Sequence, residues 1–279
     1  MTKKVLITGV SGLIGGLLRD RMDAVGGYEI TALNRSPVEG VRTVQADISD
    51  LDAIKGAFEG QGAVVHLSAV LTDSDWEQMA AVNITGTYNV LEAARLAGIK
   101  RVVNTSSGAT IKGVVREPGS VYKALEDGRY DDVPASWPMV DHKVFHPYGL
   151  YGVSKMAAEG LARHYSDVHG LSVINLRIGT VRPSGVPEEP YDYSIYLSHR
   201  DVVQALMLSL NAPDDIAFET FLVTSDNKWG YRDISHFRDV LGYEPEDSVE
   251  DFRVGKGVVP EKRTPKGGYW STHEGLVNP

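Results

Sequence analysis

The chain has 279 residues, 42% of them hydrophobic, and a formal net charge of −9, which suits one large or two small globular domains. It contains no cysteine, which excludes disulfides, thiolate metal sites and a cysteine nucleophile. It also lacks a run of basic residues, an apolar run of the ~18 residues that a membrane span needs, and a signal-peptide pattern, so we expect a soluble cytoplasmic protein with neither nucleic-acid nor membrane partners.

The chain opens on a strand and a glycine-rich turn. Residues 5–8 form a short β-branched run, typical of a strand buried on both faces. Three glycines spaced three apart follow, and a helix is predicted over 13–24. Such a turn predicts a dinucleotide pyrophosphate site, although a plain strand–turn–helix would show the same triplet. The predicted cofactor contacts here are Gly9, Ser11, Gly12, Leu13, Ile14 and Gly15.

The end of the second predicted strand, residues 28–33, bears on the choice of cofactor. An acidic residue there would bind the adenosine 2′-hydroxyl of NAD, whereas a basic residue accommodates the 2′-phosphate of NADP. This chain has Asn34, Arg35 and Ser36. Arg35 can pair with a phosphate, so NADP is the preferred cofactor and NAD stays possible. Arg35 could instead be a solvated loop residue.

Further strands alternate with helices along the chain. Strands are predicted over 41–46, 63–67 and 100–104, and helices over 51–58 and 76–96. This order predicts a doubly wound parallel sheet, a Rossmann-type α/β fold, whose ligands bind at the carboxyl ends of the strands. Candidate cofactor contacts at those ends are Asp47, Ile48, Leu67, Ser68 and Ala69. Asp47 could equally cap the next helix, as Asp73 and Asp75 could cap the helix after it.

Tyr151 and Lys155 stand four residues apart on a helix predicted to run to about residue 168, which places them on one helix face. Oxidation of an alcohol needs a base for the hydroxyl proton, and tyrosine ordinarily has a pKa of about 10. An ammonium group one turn away favours the phenolate. A serine at the end of the fifth strand could hold the substrate oxygen. A chance Tyr/Lys pair on a helix surface is the alternative.

In combination, these motifs resemble the extended short-chain dehydrogenase/reductases, also called the NAD-dependent epimerase/dehydratase family. The resemblance covers about residues 3–225. Its motifs are Thr8-Gly9-x-x-Gly12-x-x-Gly15, Asp47-Ile48, His66-Leu67-Ser68-Ala69, Asn83-x-x-Gly86-Thr87-x-Asn89, Thr105-Ser106-Ser107 and Tyr151-x-x-x-Lys155.

The resemblance implies a role for each matching residue. Tyr151 would be the acid/base, and Lys155 would assist it and bind the nicotinamide ribose. Ser107, with Ser106 as the second choice, would hold the substrate oxygen. Asn83 and Ile178 would line the cofactor site, Asn83 in a mainly structural role. Relatives of this type often form homodimers through the helices that correspond to 76–96 and 150–168.

Within the family the chain looks most like the uronate and hexose dehydrogenases. There an arginine at the position of Arg177 contacts the sugar acid, although Arg177 could instead form a buried structural pair. The relatives have Ser-Ser-Asn-His where this chain has Ser106-Ser107-Gly108-Ala109, so two substrate-binding polar groups are missing. A further family serine is replaced by Leu71.

The stretch 113–148 is longer than in those relatives and should overhang the site. A helix is predicted over 121–130. His142, Lys143 and His146 could replace the missing substrate contacts, and His146 is our substrate candidate. No third ligand accompanies the two histidines, so no metal site is expected.

The remaining elements complete one Rossmann-type domain, 1–279, with its substrate-binding parts within 114–148, 179–198 and 226–279. We expect these parts to have no core of their own. Strands are predicted over 173–176 and 220–224, helices over 201–210 and 233–241, and an extended tail over 255–279. Ser198 is the predicted cap of the helix at 201–210.

The leading hypothesis is an NAD(P)-dependent dehydrogenase that moves a hydride between a nicotinamide and a sugar-like hydroxyl or carbonyl. The second hypothesis is a nucleotide-sugar epimerase or dehydratase, although those relatives usually carry a larger C-terminal lobe. The third, a dinucleotide-sensing regulator without catalysis, belongs to a class that has generally lost the Tyr/Lys pair. This chain keeps Tyr151 and Lys155.

Overall fold

The computed structural model describes residues 2–71 and 75–252, and these residues form a seven-stranded parallel sheet. The strand order is β3-β2-β1-β4-β5-β6-β7, which confirms the predicted doubly wound sheet. The strands are β1 Lys3–Thr8, β2 Tyr28–Asn34, β3 Arg42–Gln45, β4 Ala63–His66, β5 Arg101–Ser107, β6 Ser172–Ile178 and β7 Phe218–Val223.

Nine α-helices lie in the described part of the chain. They are α1 Leu13–Val25, α2 Leu51–Ile54, α3 Trp76–Met79, α4 Thr87–Leu96, α5 Val121–Glu126, α6 Gly149–His169, α7 Asp192–Ile195, α8 His199–Leu210 and α9 Ser235–Leu241. Within the same residues, no helix combines the length and the apolar character that crossing a membrane requires.

The central strands are buried on both faces, as their continuous apolar runs predict. Val5 and Ile7 of β1 belong to one hydrophobic core and Leu6 to the other, because successive side chains point to opposite faces of a sheet. Leu18 of α1 and Leu206 of α8 pack in the first core. Residues of α4 and α6 pack in the second. The two helix layers therefore leave the carboxyl ends of the strands as the place for a ligand.

The helix predicted over 76–96 contains a π-helical stretch, Ala80–Gly86, between α3 and α4. Asp75 caps its start by accepting a hydrogen bond from the Gln78 amide, while Asp73 lies outside the described residues. Single π turns inside helices often accompany functional sites. Here the wide turn carries Asn83, whose amide reaches the site described below.

The inserted segment packs in a third hydrophobic cluster, which it shares with the sheet. The helix α5 in this segment is shorter than the predicted 121–130. The cluster joins α5 to α7, to β7 and to the stretch after β7, and its buried members are Ile111, Val114, Val115, Leu125, Val140, Ile195, Leu222 and Tyr231. The segment is therefore packed onto the sheet. The predicted tail at 255–279 lies outside the described residues.

Two strands extend further than predicted, which changes the setting of three candidate residues. The strand β5 runs to Ser107 and β6 to Ile178, and the register places Ser106 beside Arg177. Ser106, Ser107 and Arg177 are thus strand residues whose side chains alternate between faces. Ser198 caps α8 by accepting from the Asp201 amide, as predicted.

Candidate functional site

The glycine turn after β1 is built for close approach. Gly9 has φ +78°, and a Cβ atom added there would lie 3.0 Å from the Ser68 nitrogen. A Cβ on Gly15 would lie 2.5 Å from the Gly9 carbonyl oxygen, so only glycine lets α1 sit so close to the turn. Gly12 precedes α1 without a side-chain cap. The N–H groups of the first helical turn therefore fit a pyrophosphate.

Asn34 supports this turn, which corrects its assignment as a direct cofactor contact. Its side chain is buried; Oδ1 accepts from the Val10 amide at 2.9 Å and Nδ2 donates to Ser11 Oγ at 2.7 Å. With both ends of the amide engaged, Asn34 fixes the position of the turn. Any contact with a cofactor from this strand end falls to the residues that follow.

Arg35 and Ser36 are exposed at the end of β2, and Asp47 is exposed beyond β3. The Asp47 carboxylate accepts from the amide and hydroxyl of Ser49. These hydrogen bonds, followed by the charge of Arg35, hold the pKa of Asp47 below its ordinary value. Asp50 caps α2, so the alternative role of Asp47 as that cap is wrong. Arg35 and Asp47 are thus neighbours where an adenosine would lie.

The neighbouring positions differ in exposure. Ile48 is buried beneath Gly86, where an added Cβ would meet the Ile48 side chain at 2.7 Å. The segment Leu67–Ala69 after β4 and Ile178 at the end of β6 are half-buried at the carboxyl edge. This edge therefore carries the positions predicted to line a cofactor.

His66 ties the ends of β1 and β4 to the π-helical stretch. Thr8 Oγ1 accepts from the amides of Leu67 and Ser68, and it lies 2.8 Å from His66 Nδ1. We infer that the Thr8 hydroxyl donates to Nδ1 and that Nε2–H donates to Thr87 Oγ1, 3.1 Å away. Burial, followed by the charge of Lys155, lowers the pKa of His66 to about 3. The ring is therefore neutral at physiological pH.

Asn83 is engaged by protein groups, as the mainly structural role that the resemblance implies for it requires. Its amide exchanges two hydrogen bonds of 2.8 Å with the backbone of Val70 and donates to Ser154 Oγ at 3.0 Å. Ser154 lies on α6 between Tyr151 and Lys155. Asn83 therefore joins the loop after β4 to the helix that carries the Tyr/Lys pair.

The Tyr/Lys pair lies beside the end of β5. Lys155 is buried, its Nζ donates to the Thr105 carbonyl at 2.9 Å, and it lies 5.8 Å from the centre of the Tyr151 ring. Burial lowers the pKa of Lys155 to about 8, so an ammonium still predominates at neutral pH. A Cβ on Gly152 would lie 2.7 Å from the Ala109 carbonyl oxygen. This close packing brings Tyr151 next to the segment after Ser107.

The two serines of β5 face different surroundings. Ser107 is half-buried, and its Oγ accepts from the Ala109 amide at 3.1 Å. That bond uses a lone pair, so the hydroxyl hydrogen can still be donated to a substrate oxygen. Ser106 is buried and donates to Glu159 at 2.5 Å. The hydroxyl hydrogen of Ser106, the second choice, is therefore used within the protein, whereas that of Ser107 can still be donated.

Arg177 forms a buried structural pair, the alternative to a substrate contact that the sequence left open. It is 4% exposed and forms a two-pronged ion pair with Glu159, with distances of 2.9 and 2.7 Å. It also donates to the carbonyls of His142 and Val144 in the inserted segment, both at 3.0 Å. The pair therefore anchors the insertion to α6. Glu159, the centre of this group, has no signal in the sequence beyond its helical position.

The histidines of the insertion lie apart from each other. His146 packs on Gly113 and pairs with Glu117 at 3.2 Å, with its side chain 43% exposed. His142 stacks on His236, with the ring centres 4.0 Å apart. His236 in turn bonds to Glu219 near the amino end of β7, so His142 faces away from the carboxyl edge. Among the described residues, no group of three histidine or acidic side chains could hold a metal ion.

Arg232, which the sequence did not single out, reaches this edge from the stretch after β7. Its guanidinium fills the space above Gly108, where an added Cβ would lie 2.1 Å from Nη2. Its Nη1 lies 3.5 Å from the Ile178 carbonyl oxygen. Arg232 is distant in sequence from both strands, and only the packing of the insertion against it reveals the contact.

Comparisons with known proteins identify the family and agree with the fold. The sequence profile of the NAD dependent epimerase/dehydratase family matches residues 5–192. The chain is 30% identical to a NAD-dependent glucose-6-phosphate dehydrogenase of Haloferax volcanii over 90% of this chain and 96% of the relative. It is 34% identical to a uronate dehydrogenase of Agrobacterium fabrum over 90% and 87% of the two chains. These matches span nearly the whole of each relative.

A solved structure of a uronate dehydrogenase is also similar to this chain. A mutant uronate dehydrogenase from Agrobacterium tumefaciens, complexed with NAD, superposes with a TM-score of 0.77 and 30% identity, covering 96% of this chain and 92% of that one. The shared architecture thus includes the carboxyl edge described above.

Proposed function

This chain belongs to the NAD dependent epimerase/dehydratase family, and we propose that it is a dehydrogenase that oxidises a sugar-like hydroxyl with NADP or NAD. The observation that carries the proposal is the buried Lys155 ammonium, 5.8 Å from the centre of the Tyr151 ring and bonded to the Thr105 carbonyl near the carboxyl end of β5. The relatives named above are dehydrogenases of a sugar phosphate and of uronates. That agreement favours a sugar or a sugar acid as the substrate.

Three side chains would share the chemistry. Ser107 donates its hydroxyl hydrogen to the substrate oxygen and positions it, and Tyr151 Oη takes the proton from the reacting hydroxyl. Tyr151 acts as the phenolate, which the Lys155 ammonium stabilises, and the arriving proton neutralises the phenolate charge. A bound nicotinamide supplies the hydride acceptor. Asn83 and the Glu159–Arg177 pair hold in position the elements that carry these three side chains.

Cofactor binding would use the glycine turn for the pyrophosphate and the ends of β2 and β3 for the adenosine. Arg35 is exposed where a 2′-phosphate would lie, and Asn34 offers no carboxylate for a 2′-hydroxyl. We therefore propose a preference for NADP. The neighbouring Asp47 opposes it in part, and it leaves NAD usable.

The proposal is tested by following cofactor reduction with a panel of aldoses, uronates and sugar phosphates, each with NADP and with NAD. We expect reduction with at least one sugar class and rapid exchange of free cofactor. A purified protein that retains its cofactor and isomerises a nucleotide sugar without net reduction would point to an epimerase instead. Binding of cofactor without turnover of any sugar would point to a dinucleotide sensor.

A further inference from the structure

Arg232 is a buried cation without a matching anion. It is 4% exposed, its Nε has no hydrogen-bond partner, and no carboxylate within the described residues forms an ion pair with it. Its contact with the Ile178 carbonyl, at 3.5 Å, is at the limit of hydrogen bonds, and its other side-chain partner is the neutral Tyr231 hydroxyl. An arginine held in this way is costly unless a ligand completes its hydrogen bonds.

The guanidinium lies at the catalytic end of the sheet. Its three terminal atoms fill the space above Gly108, within 2.3 Å of where a Cβ would stand. Gly108 directly follows Ser107, and Ile178 is paired with Ser107 in the sheet register. Gly108 is buried, whereas Ser107 and Ile178 are half-buried, so Arg232 lies behind the partly accessible residues of the site.

Glu126, which Tyr231 connects to Arg232, already pairs with another cation. Tyr231, over whose ring Arg232 lies at 5.9 Å, donates to Glu126 at 3.0 Å, and Glu126 also pairs with Lys112 at 3.6 Å. Burial raises the pKa of Tyr231, and the charge of Arg232 acts in the opposite direction. Among the residues that the structure describes, Arg232 therefore has no ion pair of its own, and a small anion would supply one.

The backbone around Arg232 is fixed to the inserted segment. The Val140 amide donates to the Tyr231 carbonyl at 2.7 Å, and the Asp233 amide donates to the Val140 carbonyl at 2.9 Å. The cation is therefore presented by a short ladder between the insertion and the stretch after β7. It does not depend on a flexible loop tip.

We propose that Arg232 recognises an anionic group, a carboxylate or a phosphate, on the sugar that this site oxidises. The proposal rests on the proposed function. Because Arg177 is paired with the buried Glu159, the proposal assigns the recognition of an anionic substrate group to Arg232 instead. The planar guanidinium has unused donors that match carboxylate or phosphate oxygens.

The test compares three sugars of one skeleton: glucuronate, glucose 6-phosphate and uncharged glucose. The variants are Arg232→Gln and Gly108→Ala, whose methyl group would displace the guanidinium without altering the arginine. Arg200→Gln is the control, because Arg200 is an exposed arginine that pairs with Asp247. Cofactor affinity is measured in parallel by fluorescence titration, and sugar affinity by calorimetry with cofactor present.

We expect the wild type to prefer one of the two anionic sugars to glucose. Arg232→Gln and Gly108→Ala should each lower kcat/KM for that sugar by roughly 10- to 100-fold, mainly through KM, the range expected for a lost hydrogen bond to a charged group. Activity on glucose and cofactor affinity should stay unchanged, and the control should resemble the wild type. The preferred sugar then identifies the anion as a carboxylate or a phosphate.

Two results would overturn the inference while leaving the dehydrogenase intact: an equal loss on charged and uncharged sugars, or no loss in either variant. If the wild type oxidises no sugar, the proposed function fails and calorimetry decides about Arg232. Binding of an anionic sugar that Arg232→Gln abolishes supports the anion site, whereas absence of such binding to the wild type rejects it.

Discussion

At the scale of single residues, Arg35 is the side chain on which the choice of cofactor depends. It is exposed beyond β2, and the nearby Asp47 feels its charge. Arg35→Asp should exchange attraction for repulsion of a 2′-phosphate. We expect the ratio of kcat/KM for NADP to that for NAD to fall at least about 10-fold. Lys55→Asp, a change of the same charge at an ion pair on the exposed surface, is the control. Equal efficiency with both cofactors before and after the change would show that Arg35 takes no part.

His66 makes stability depend on pH. Its pKa is about 3 in the folded protein and 6.5 in an unfolded chain, so the unfolded state binds more protons between these values. The stabilisation is fully present above pH 6.5 and is lost as pH falls towards 3, by on the order of 4 kcal/mol at the limit.

Urea unfolding at pH 7.5 and pH 5 checks this dependence. We expect His66→Gln to be less stable at both pH values yet to lose less on acidification than the wild type does. The exposed His164→Gln should keep the wild-type slope. The same slope in His66→Gln and in the wild type would contradict the assigned neutral ring.

At the scale of elements, the contact between the glycine turn and α1 offers a matched pair of substitutions. Gly15→Ala would place a methyl group 2.5 Å from the Gly9 carbonyl oxygen, whereas a methyl group on Gly16 meets nothing within 4 Å. Gly15→Ala should move α1 and weaken cofactor binding by 10-fold or more. Gly16→Ala should bind normally and gain up to about 1 kcal/mol from helix propensity.

Thermal unfolding and cofactor titration of both variants provide the check. Unchanged binding in Gly15→Ala would mean that the close packing of α1 is not needed for the phosphate site. A loss of binding in both variants would mean that the N-terminal part of α1 tolerates no change at all.

Local sequence patterns predicted the elements well where each strand is buried on both faces and each helix has an amphipathic face. The alternation of β1, α1 and β2, and the Ser198 cap, follow from signals a few residues long. The π-helical stretch at Ala80–Gly86 does not, because its apolar spacing resembles that of an ordinary helix. The extra length of β5 and β6 follows from pairing with each other, which no local pattern encodes.

The candidate site shows the same division. Ser107, Tyr151 and Lys155 could be identified from spacing and from family resemblance. The partners of Asn34, Asn83, Ser106 and Arg177 could not be identified, because each is distant in sequence. A structural role for Asn83 and a buried pair for Arg177 were nevertheless among the expectations. The same holds for Arg232, which reaches Gly108 across more than a hundred residues.

At the scale of the whole molecule, exposed apolar side chains on α3, α4 and α6 suggest an interface. The side chains of Trp76, Tyr88, Leu150 and Val153 are each between 42 and 47% exposed. Leu150 and Val153 share one face of α6. We propose that a homodimer buries them. Light scattering after size exclusion should give a dimer for the wild type and a monomer for Val153→Glu. A monomeric wild type would contradict the proposal.

The net negative charge of the chain contrasts with the cations at the carboxyl edge, and this contrast would favour anionic ligands at that edge. The chain has a net charge of −9, yet Lys155 and Arg232 place cations at the carboxyl edge. A dinucleotide and an anionic sugar would both be drawn to that edge. We retain the cytoplasmic location as a prediction.

The central claim is that Tyr151 takes the proton in a hydride transfer. The most direct measurement is kcat of Tyr151→Phe with the best sugar of the panel, alongside its affinity for the cofactor. We predict a loss of at least about 1,000-fold in kcat with cofactor affinity unchanged. Full activity in Tyr151→Phe would contradict the account.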